Sequence, residues 1–534
     1  MIEEEEQVNK DDAIKLAVDS ILRDGCSDIT TESLELKLIN SFRKDFETDI
    51  RAKLGRGSVY DMDFRIPQYL LTPKNRYVFD YRKAAIINPA CLAKFLAIVF
   101  QYADLVEKAR VPVRDNILFS YRFNPTEESI FDRSVGYSEW REETKKRATT
   151  GDCAFVVSCD IAAFYDRINI HRIESTLLSI GVPENLVMLT NDLLLFWSKK
   201  DSYGLPVGNI ASRILAETAL IDIDQYLLDE GVQFTRYVDD YRLFAPSLLI
   251  AQKWMNKFTT RLFRDGLMLN TGKTQIRKSY PDEPDQMEEA EDKQEEAEAV
   301  LKVITKLVGG YNRIARRFIM PSEDKHANFK HIDIDNEILI LKATPIVEFR
   351  GIQKVVIAAL VQKRFDLLID VAIVCRSYLY GLDYFIDMLI QNADFIPDIE
   401  KNKIADMYET LITEGELYSF EWHCASIARL LSKPAYFRKN GLLQLFKSPA
   451  KDVSTYASMI ALEGLQEKIT RSEFITIREF FDRSDEWEKR RLLYLSSALP
   501  GEERKAWARA VKPTFTNDIL GQKLCDSVIR GHEI

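Results

Sequence analysis

The sequence has few cysteines and histidines, and neither type is spaced as a metal site or a disulfide framework. Its 7 cysteines include no Cys-x-x-Cys pair, and its 5 histidines are scattered along the chain. Zinc modules and disulfide-rich secreted domains need closely spaced ligands or paired cysteines. We therefore expect reduced thiols and no structural zinc.

Long apolar runs are also lacking. No stretch approaches the roughly 18 consecutive apolar residues of a membrane-spanning helix. The first residues, Met1 to Glu6, are acidic where a secretory signal is basic and then apolar. Hydrophobic residues make up 46% of the chain and aromatic residues 11%, so most of it should be buried in folded domains. We expect a soluble, cytoplasmic protein with no membrane partner.

The sequence also lacks an excess of positive charge. The formal net charge is −10, and residues 282–298 alone hold ten acids against one lysine, Lys293, which leaves −1 for everything else. Proteins that clamp a long duplex gain affinity by neutralising phosphates with Lys and Arg. We expect any nucleic-acid binding to be weak and local. The acidic segment itself is typical of a solvated linker or an exposed helix.

Two adjacent carboxylates, Asp239 and Asp240, interrupt an aromatic-rich run of β-forming residues from Val232 to Phe244. This pattern predicts two short strands with the acids at the turn between them. Mg²⁺ prefers a few carboxylate oxygens together with phosphate oxygens and water, so such a tip suits phosphoryl or nucleotidyl transfer. Alone, however, an Asp-Asp pair is equally typical of a solvated turn.

A third acid follows another apolar run. Phe155 to Cys159 predicts a strand that ends at Asp160, after which the spacing becomes helical. In-line nucleotidyl transfer uses two metal ions roughly 4 Å apart. We predict that Asp160 and Asp239 bind Mg²⁺ or Mn²⁺, with Asp240 as an outer ligand or as a support for the turn. The alternative is that each acid is an ordinary surface residue.

Two further segments complete an ordered set. Gly204 to Arg213 lies between the acids, and Gly266 to Thr274 follows them. The four segments together resemble the A, B, C and D motifs of reverse transcriptases. In this resemblance Gly208 lets the backbone approach the template or nucleotide closely, and Lys273 donates a proton to pyrophosphate or neutralises it. Taken alone, the loop also fits a simple helix entry, and Lys273 a solvated lysine.

The same resemblance assigns three nucleotide-binding side chains. Tyr165, five residues after Asp160, corresponds to a bulky aromatic that clashes with a ribose 2′-hydroxyl, which implies a preference for deoxynucleotides. Lys74 and Arg76 correspond to finger residues that grip the triphosphate through charge-assisted bonds. The alternatives are a core tyrosine and two solvated basic residues.

The chain departs from the reverse transcriptase pattern in three places. Val207 stands where retroviral enzymes have glutamine, which removes a polar side chain beside the nascent base pair. Arg122 stands where a Ser-Tyr-Gly-Phe-type segment has glycine. No basic, amphipathic thumb helix directly follows the fourth motif, apart from a short candidate at Arg313 to Arg317.

The C-terminal part reads as nearly continuous helix, with apolar residues recurring at three and four. The clearest segments are Ile352 to Val361, Phe365 to Leu379, Leu382 to Ile390 and Ile404 to Ile412. The lengths of these segments and the short breaks between them suggest stacked helix pairs of HEAT-like type, with an irregular bundle as the alternative. We predict an α+β fold with a right-hand polymerase fingers and palm domain followed by an all-α domain. Its parts are an N-terminal segment with fingers (1–150), a palm (151–280), an acidic linker (281–300) and a HEAT-like helical domain (301–534).

Palm motifs without a clear thumb, followed by a long helical region, resemble the abortive-infection (Abi) reverse-transcriptase-like polymerases of phage defence. This resemblance implies untemplated DNA synthesis from dNTPs, primed by a protein hydroxyl of unassigned position, so that single-stranded DNA stays covalently attached to a homo-oligomer, a trimer or hexamer. Two alternatives stay open. A template-dependent enzyme of the retron or group II intron kind shares every residue named, whereas a non-catalytic binding scaffold is disfavoured by the intact Asp160, Asp239 and Asp240.

Overall fold

The computed structural model describes residues 9–28, 34–74, 81–279, 327–447 and 455–532. Its contacts group into two compact units. The first comprises Met1–Thr31, Lys44–Gln68 and Ala85–Glu295, and the second comprises Glu32–Arg43, Tyr69–Ala84 and Glu296–Ile534. The second unit therefore combines the C-terminal half with two short N-terminal segments. The four domain boundaries of the sequence analysis stay predictions; the acidic linker and the candidate thumb at Arg313 to Arg317 lie outside the described residues.

Helices and strands alternate in the N-terminal half. The helices up to residue 279 are α1 (Lys10–Asp24), α2 (Leu34–Ser41), α3 (Arg43–Lys53), α4 (Pro89–Phe100), α5 (Ala103–Ala109), α6 (Tyr137–Ala148), α7 (Phe164–Arg167), α8 (Ile170–Ser179), α9 (Glu184–Trp197), α10 (Ile210–Asp229) and α11 (Leu248–Arg264), with a 3₁₀ turn at Val113–Asp115. The strands are β1 (Gln68–Pro73), β2 (Tyr81–Ile86), β3 (Phe155–Asp160), β4 (Phe234–Tyr237), β5 (Asp240–Ala245) and β6 (Gln275–Lys278).

The core of the first unit is a four-stranded sheet in the order β4-β5-β3-β6, with β1 and β2 forming a separate pair. Each neighbouring pair in the larger sheet is antiparallel. Side chains alternate between the two faces of a strand. Cys159 contacts α11, and so does Tyr241, whose ring centroid lies 4.6 Å from that of Phe258. Their neighbours Asp160 and Asp240 therefore face the opposite side of the sheet.

Helix α10 runs behind this sheet and is almost wholly buried along its inner face. Its N-terminus is capped by Asn209, whose side-chain oxygen accepts a hydrogen bond from the Ser212 N–H at 2.9 Å. Among the described residues no single helix is long and apolar enough to cross a membrane. The bent pair Pro89–Phe100 and Ala103–Asp115 meets that test together by length and composition only, which is weak evidence because buried core helices meet it too.

The second unit is helical through its described C-terminal part. Its α-helices are α12 (Ile334–Ala343), α13 (Phe349–Val361), α14 (Leu368–Ser377), α15 (Leu382–Gln391), α16 (Asp398–Thr413), α17 (Glu421–Leu431), α18 (Lys439–Lys447), α19 (Thr455–Gly464), α20 (Arg471–Arg478), α21 (Glu486–Leu495), α22 (Gly501–Val511) and α23 (Ile519–Arg530). Short 3₁₀ turns lie at Ala327–Phe329, Phe365–Leu367, Leu379–Gly381, Pro434–Tyr436, Phe481–Arg483, Ser496–Ala498 and Lys512–Phe515. The predicted helical segments are confirmed, while the HEAT-like repeat stays a prediction.

A buried charge cluster fixes the N-terminal helix α2 within the second unit. Glu35 is 0% exposed and accepts hydrogen bonds from Arg490 at 3.1 Å and from Arg491 at 2.8 and 2.9 Å. Burial by itself raises the pKa of Glu35, but the two guanidinium groups outweigh it and lower the pKa to about 2. The contribution of this carboxylate to stability is therefore present above the unfolded pKa, about 4.3, and is lost as the pH falls towards 2.

Replacing Glu35 by Ala should destabilise the second unit by about 3 kcal/mol or more, because two buried arginines lose their shared carboxylate. Urea unfolding at pH 7 measures this. The matched control is Glu503→Ala, which removes a partly exposed carboxylate 2.8 Å from Arg471 and should cost much less, because solvent screens ion pairs near the surface. Equal losses for the two variants would contradict the structural role of Glu35.

Candidate active site

A strained two-residue turn joins β4 to β5. Tyr237 pairs with Asp240, which leaves Val238 and Asp239 as the turn. Val238 has a φ of 54°, and Asp239 is not among the residues with positive φ. A positive φ at the first turn residue only is the pattern of a type II′ turn, which favours glycine there. A β-branched residue in this conformation is strained, so the surrounding structure must hold it.

Three carboxylates meet at this end of the sheet. Asp160, the last residue of β3, is directly opposite Asp240, the first residue of β5. The backbone N–H of Ile161 donates to the carbonyl of Asp239 at 3.2 Å, which ties the end of β3 to the turn. The structure thus brings together Asp160, Asp239 and Asp240, in the arrangement that the sequence analysis expected of a strand end and a hairpin tip.

The segment after α11 closes the site from the other side of β3. The backbone N–H of Asn270 donates to the Asp160 carbonyl at 2.7 Å, and its side-chain amide donates to Asp160 Oδ2 at 3.0 Å. Lys273 Nζ lies 2.7 Å from Asp160 Oδ1. Both carboxylate oxygens of Asp160 therefore accept hydrogen bonds. Lys273, which the resemblance assigned to pyrophosphate, thus lies beside Asp160. Asn270 was missed, although it lies in the same motif.

The electrostatics of the site suit a cation. Burial, together with the neighbouring charges of Asp240 and Asp160, raises the pKa of Asp239 to about 7, although the positive charge of Lys273 acts in the opposite direction. Carboxylates that repel each other at a half-buried strand end have the donor chemistry of a Mg²⁺ or Mn²⁺ site. In the described part of the chain, no group of three or more His, Cys, Asp or Glu side chains is placed so that it could hold a metal ion by itself.

The glycine loop is tied to the segment that follows Asp160. Leu205 N–H donates to the Tyr165 carbonyl at 2.9 Å, and Gly204 N–H donates to the Ile168 carbonyl at 2.9 Å. Gly204 has a φ of 97°, and a Cβ there would lie 3.5 Å from the Asp166 carbonyl oxygen. Tyr165 is buried, with 6% of its surface exposed. Tyr165 follows Asp160 by five residues in the sequence, and the hydrogen bond from Leu205 fixes its backbone to the loop.

The other three predicted nucleotide-binding residues are Gly208, Lys74 and Arg76. Gly208 has a φ of 111°. Its carbonyl oxygen accepts a hydrogen bond from the Asp28 N–H at 3.0 Å, so this oxygen is used in a backbone contact within the fold. Lys74 is half-buried after β1, in the second unit. Arg76 lies outside the described residues. The nucleotide-binding roles of these three residues stay predictions.

The comparison with protein families identifies the domain. Residues 114–298 match the family described as "Reverse transcriptase (RNA-dependent DNA polymerase)". The match contains all three carboxylates, the glycine loop and Lys273. No curated protein matches the chain.

Solved telomerase structures are also similar to the chain over most of its length. Apo telomerase from Candida tropicalis is 10% identical, with 78% of this chain and 74% of that chain covered and a TM-score of 0.28. Telomerase from Candida albicans with a fragment of telomeric RNA is 13% identical, with 76% and 74% covered and a TM-score of 0.30. The family match shows that the chain contains a reverse transcriptase domain and is a reverse-transcriptase-like nucleotidyltransferase.

Proposed function

We propose that the chain is a DNA polymerase that joins deoxynucleotides by two-metal nucleotidyl transfer at Asp160, Asp239 and Asp240. The observation that carries this proposal is the pairing of Asp160 with Asp240 beside the Asp239 turn. Such an arrangement presents carboxylate oxygens on the face of the sheet opposite α11, where a nucleoside triphosphate has phosphate oxygens to complete a cation's shell.

The surrounding side chains have distinct tasks in this mechanism. Asp160 and Asp239 would hold Mg²⁺ or Mn²⁺, with Asp240 supporting the turn. When bound, the ions lower the pKa of the attacking hydroxyl and stabilise charge on the departing pyrophosphate. Asn270 fixes the orientation of Asp160 through its amide. Lys273, with 48% of its side chain exposed, is long enough to exchange Asp160 for a phosphate oxygen and to neutralise or protonate it.

Sugar selection is assigned to Tyr165. Its backbone is held by Leu205, and its ring packs edge-on against Phe164 with centroids 5.6 Å apart. A ring fixed in this way cannot easily move aside for an extra hydroxyl, because neighbouring buried groups fill the space around it. We therefore assign Tyr165 as the group that excludes ribonucleotides.

We further propose that synthesis is untemplated and protein-primed, as in the Abi polymerases of phage defence. The product would be single-stranded DNA covalently attached to a cytoplasmic homo-oligomer, a trimer or hexamer, whose helical region is HEAT-like. Two features support this proposal: the resemblance of the motif set followed by a helical region, and a net charge of −10, which offers little attraction for a long duplex.

A template-dependent enzyme is the second candidate. The family that residues 114–298 match is described as RNA-dependent, and this observation favours copying of an RNA strand. The carboxylates, the glycine loop and Lys273 would serve both modes equally. The two proposals differ in what specifies the product sequence and in what the first nucleotide is joined to.

Replacing Asp239 and Asp240 together by Ala should abolish nucleotide incorporation, by about 10³-fold or more, since it removes the charge stabilisation of the transition state. The fold should be retained because the replaced carboxylates repel each other. Asp152→Ala, an exposed residue just before the other end of β3, is the matched control and should keep full activity. Labelled-dNTP incorporation and circular dichroism are the measurements; an active, folded double variant would refute the carboxylate assignment.

Replacing Tyr165 by Ala should admit ribonucleotides, because the bulky ring that excludes a 2′-hydroxyl is removed. The ratio of kcat/KM for dNTP to kcat/KM for rNTP should fall at least about tenfold. This is the lower end of the discrimination that a binding pocket achieves for a difference of one small group. Phe164→Ala, which removes the neighbouring ring, is the control for loosened packing. Unchanged sugar discrimination in a folded Tyr165 variant would exclude it as the selecting group.

Purified protein incubated with dNTPs and Mg²⁺, or isolated directly from cells, should carry DNA that stays attached during denaturing electrophoresis. Nuclease treatment should then change the mobility of the protein band. Added template strands of different sequence should leave the product composition unchanged. Mass spectrometry of the nuclease-trimmed protein then locates the attachment residue; Tyr60 and Tyr69 are candidates with 72% and 37% exposure. Unattached product whose sequence follows the added template would reject the protein-primed mode in favour of the templated one.

A further inference from the structure

The side chain of Arg236 contacts the strained turn at Val238. Arg236, two residues earlier on β4, folds back so that its Nη1 donates to the Val238 carbonyl at 2.9 Å. Arg236 is 0% exposed, so this hydrogen bond has no competition from solvent. A charged donor buried against one carbonyl fixes the peptide plane between Val238 and Asp239. It therefore sets the direction from which the Asp239 side chain leaves the turn.

The guanidinium of Arg236 is itself locked in place. Its Nε donates to Asp224 Oδ1 at 3.0 Å and its Nη2 to Asp224 Oδ2 at 2.6 Å, while Nη2 also lies 2.9 Å from Glu217 Oε2. Both acids are on α10, seven residues and about two turns apart, on the side that faces the sheet. The planar guanidinium of Arg236 is therefore fixed in orientation by two carboxylates.

The two acids are anchored in turn. Ser120 Oγ donates to Glu217 Oε1 at 2.6 Å, and Arg110 Nη2 donates to Glu217 Oε2 at 2.7 Å. The Tyr241 hydroxyl donates to Asp224 Oδ1 at 3.0 Å from β5. Buried ion pairs of this kind add little to stability compared with apolar side chains of similar volume. Their consequence here is geometric, because they connect helix α10 to the turn that carries Asp239.

We propose that Arg236 is a positioning residue for nucleotidyl transfer, which holds the strained Val238 turn so that Asp239 meets Asp160. This inference rests on the proposed catalytic role of Asp239. Arg236 itself contacts no reacting group: it faces α10, on the side of the sheet away from Asp160. The Asp224 and Glu217 carboxylates act through it by fixing the guanidinium.

The first test is Arg236→Lys, which keeps the positive charge but cannot bond Asp224 in two directions and also reach the Val238 carbonyl. We expect kcat to fall by about tenfold to a hundredfold, the scale produced by small misplacements of catalytic groups. The KM for dNTP should change less, and the Mg²⁺ concentration for half-maximal activity should rise. The matched control is Arg491→Lys, another buried arginine with a two-pronged carboxylate partner, Glu35, which should leave all three quantities unchanged in the folded protein.

A double-mutant cycle with Val238→Gly separates positioning from general damage to the core. Glycine adopts a positive φ without strain, so the turn would need less support from Arg236. The loss of kcat caused by Arg236→Lys should therefore be at least about threefold smaller when Val238 is Gly than when it is Val, a coupling of the size that contacting residues show. A merely structural arginine would cause the same loss in both backgrounds.

Two results would overturn the inference: a folded Arg236→Lys variant with unchanged kcat and Mg²⁺ dependence, or a loss of kcat that Val238→Gly does not reduce. If Arg236→Lys does not fold, Tyr241→Phe replaces it, because it deletes one hydrogen bond to Asp224 and should change kcat and the Mg²⁺ requirement in the same directions, by a few-fold.

An inactive Asp239→Ala with an unaffected Arg236→Lys rejects only this inference. An active Asp239→Ala rejects the proposed function first.

Discussion

The pairing of β3 with β5 is the constraint on which the proposed chemistry depends. The register places Asp160 opposite Asp240, so both side chains face the side of the sheet away from α11. Successive residues of a strand face opposite sides, so a slip of one residue would turn Asp160 towards the helices. Apolar neighbours such as Cys159 and Tyr241 oppose that slip because they are buried against α11. The hydrophobic core thereby determines where the carboxylates lie.

Charge is used in two different ways in the first unit. Burial and the repulsion between the carboxylates at the strand ends together raise the pKa of Asp239 to about 7, which leaves a site that a divalent cation would stabilise. A few residues away, Arg236 and Asp224 form a buried pair in which opposite charges lie 2.6 Å apart. The first arrangement is suited to binding a ligand, and the second to holding a backbone in place. Together they allow a strained turn to carry a reactive group.

The strand and hairpin positions of the three acids could be predicted because alternation and turn residues are local signals. The contact of Lys273 with Asp160 was not predicted: the order of the motifs assigned this lysine to pyrophosphate, and a contact across more than a hundred residues has no local signature. Arg236 was missed because a buried arginine in an apolar strand looks like a solvated residue until its partners on α10 are seen. For the same reason, no sequence pattern indicated that α2 joins the C-terminal unit through Glu35, 455 residues before Arg490.

The proposed chemistry requires Asp160 and Asp239 to bind divalent cations beside a nucleotide. Anomalous X-ray diffraction from crystals grown with Mn²⁺ and a non-hydrolysable dNTP tests it most directly, because the anomalous signal locates the metal independently of any model of the site. Manganese peaks are expected within bonding distance of the Asp160 and Asp239 oxygens and of the triphosphate. Nucleotide bound elsewhere, or manganese peaks absent from the end of β3 while nucleotide is bound there, would contradict it.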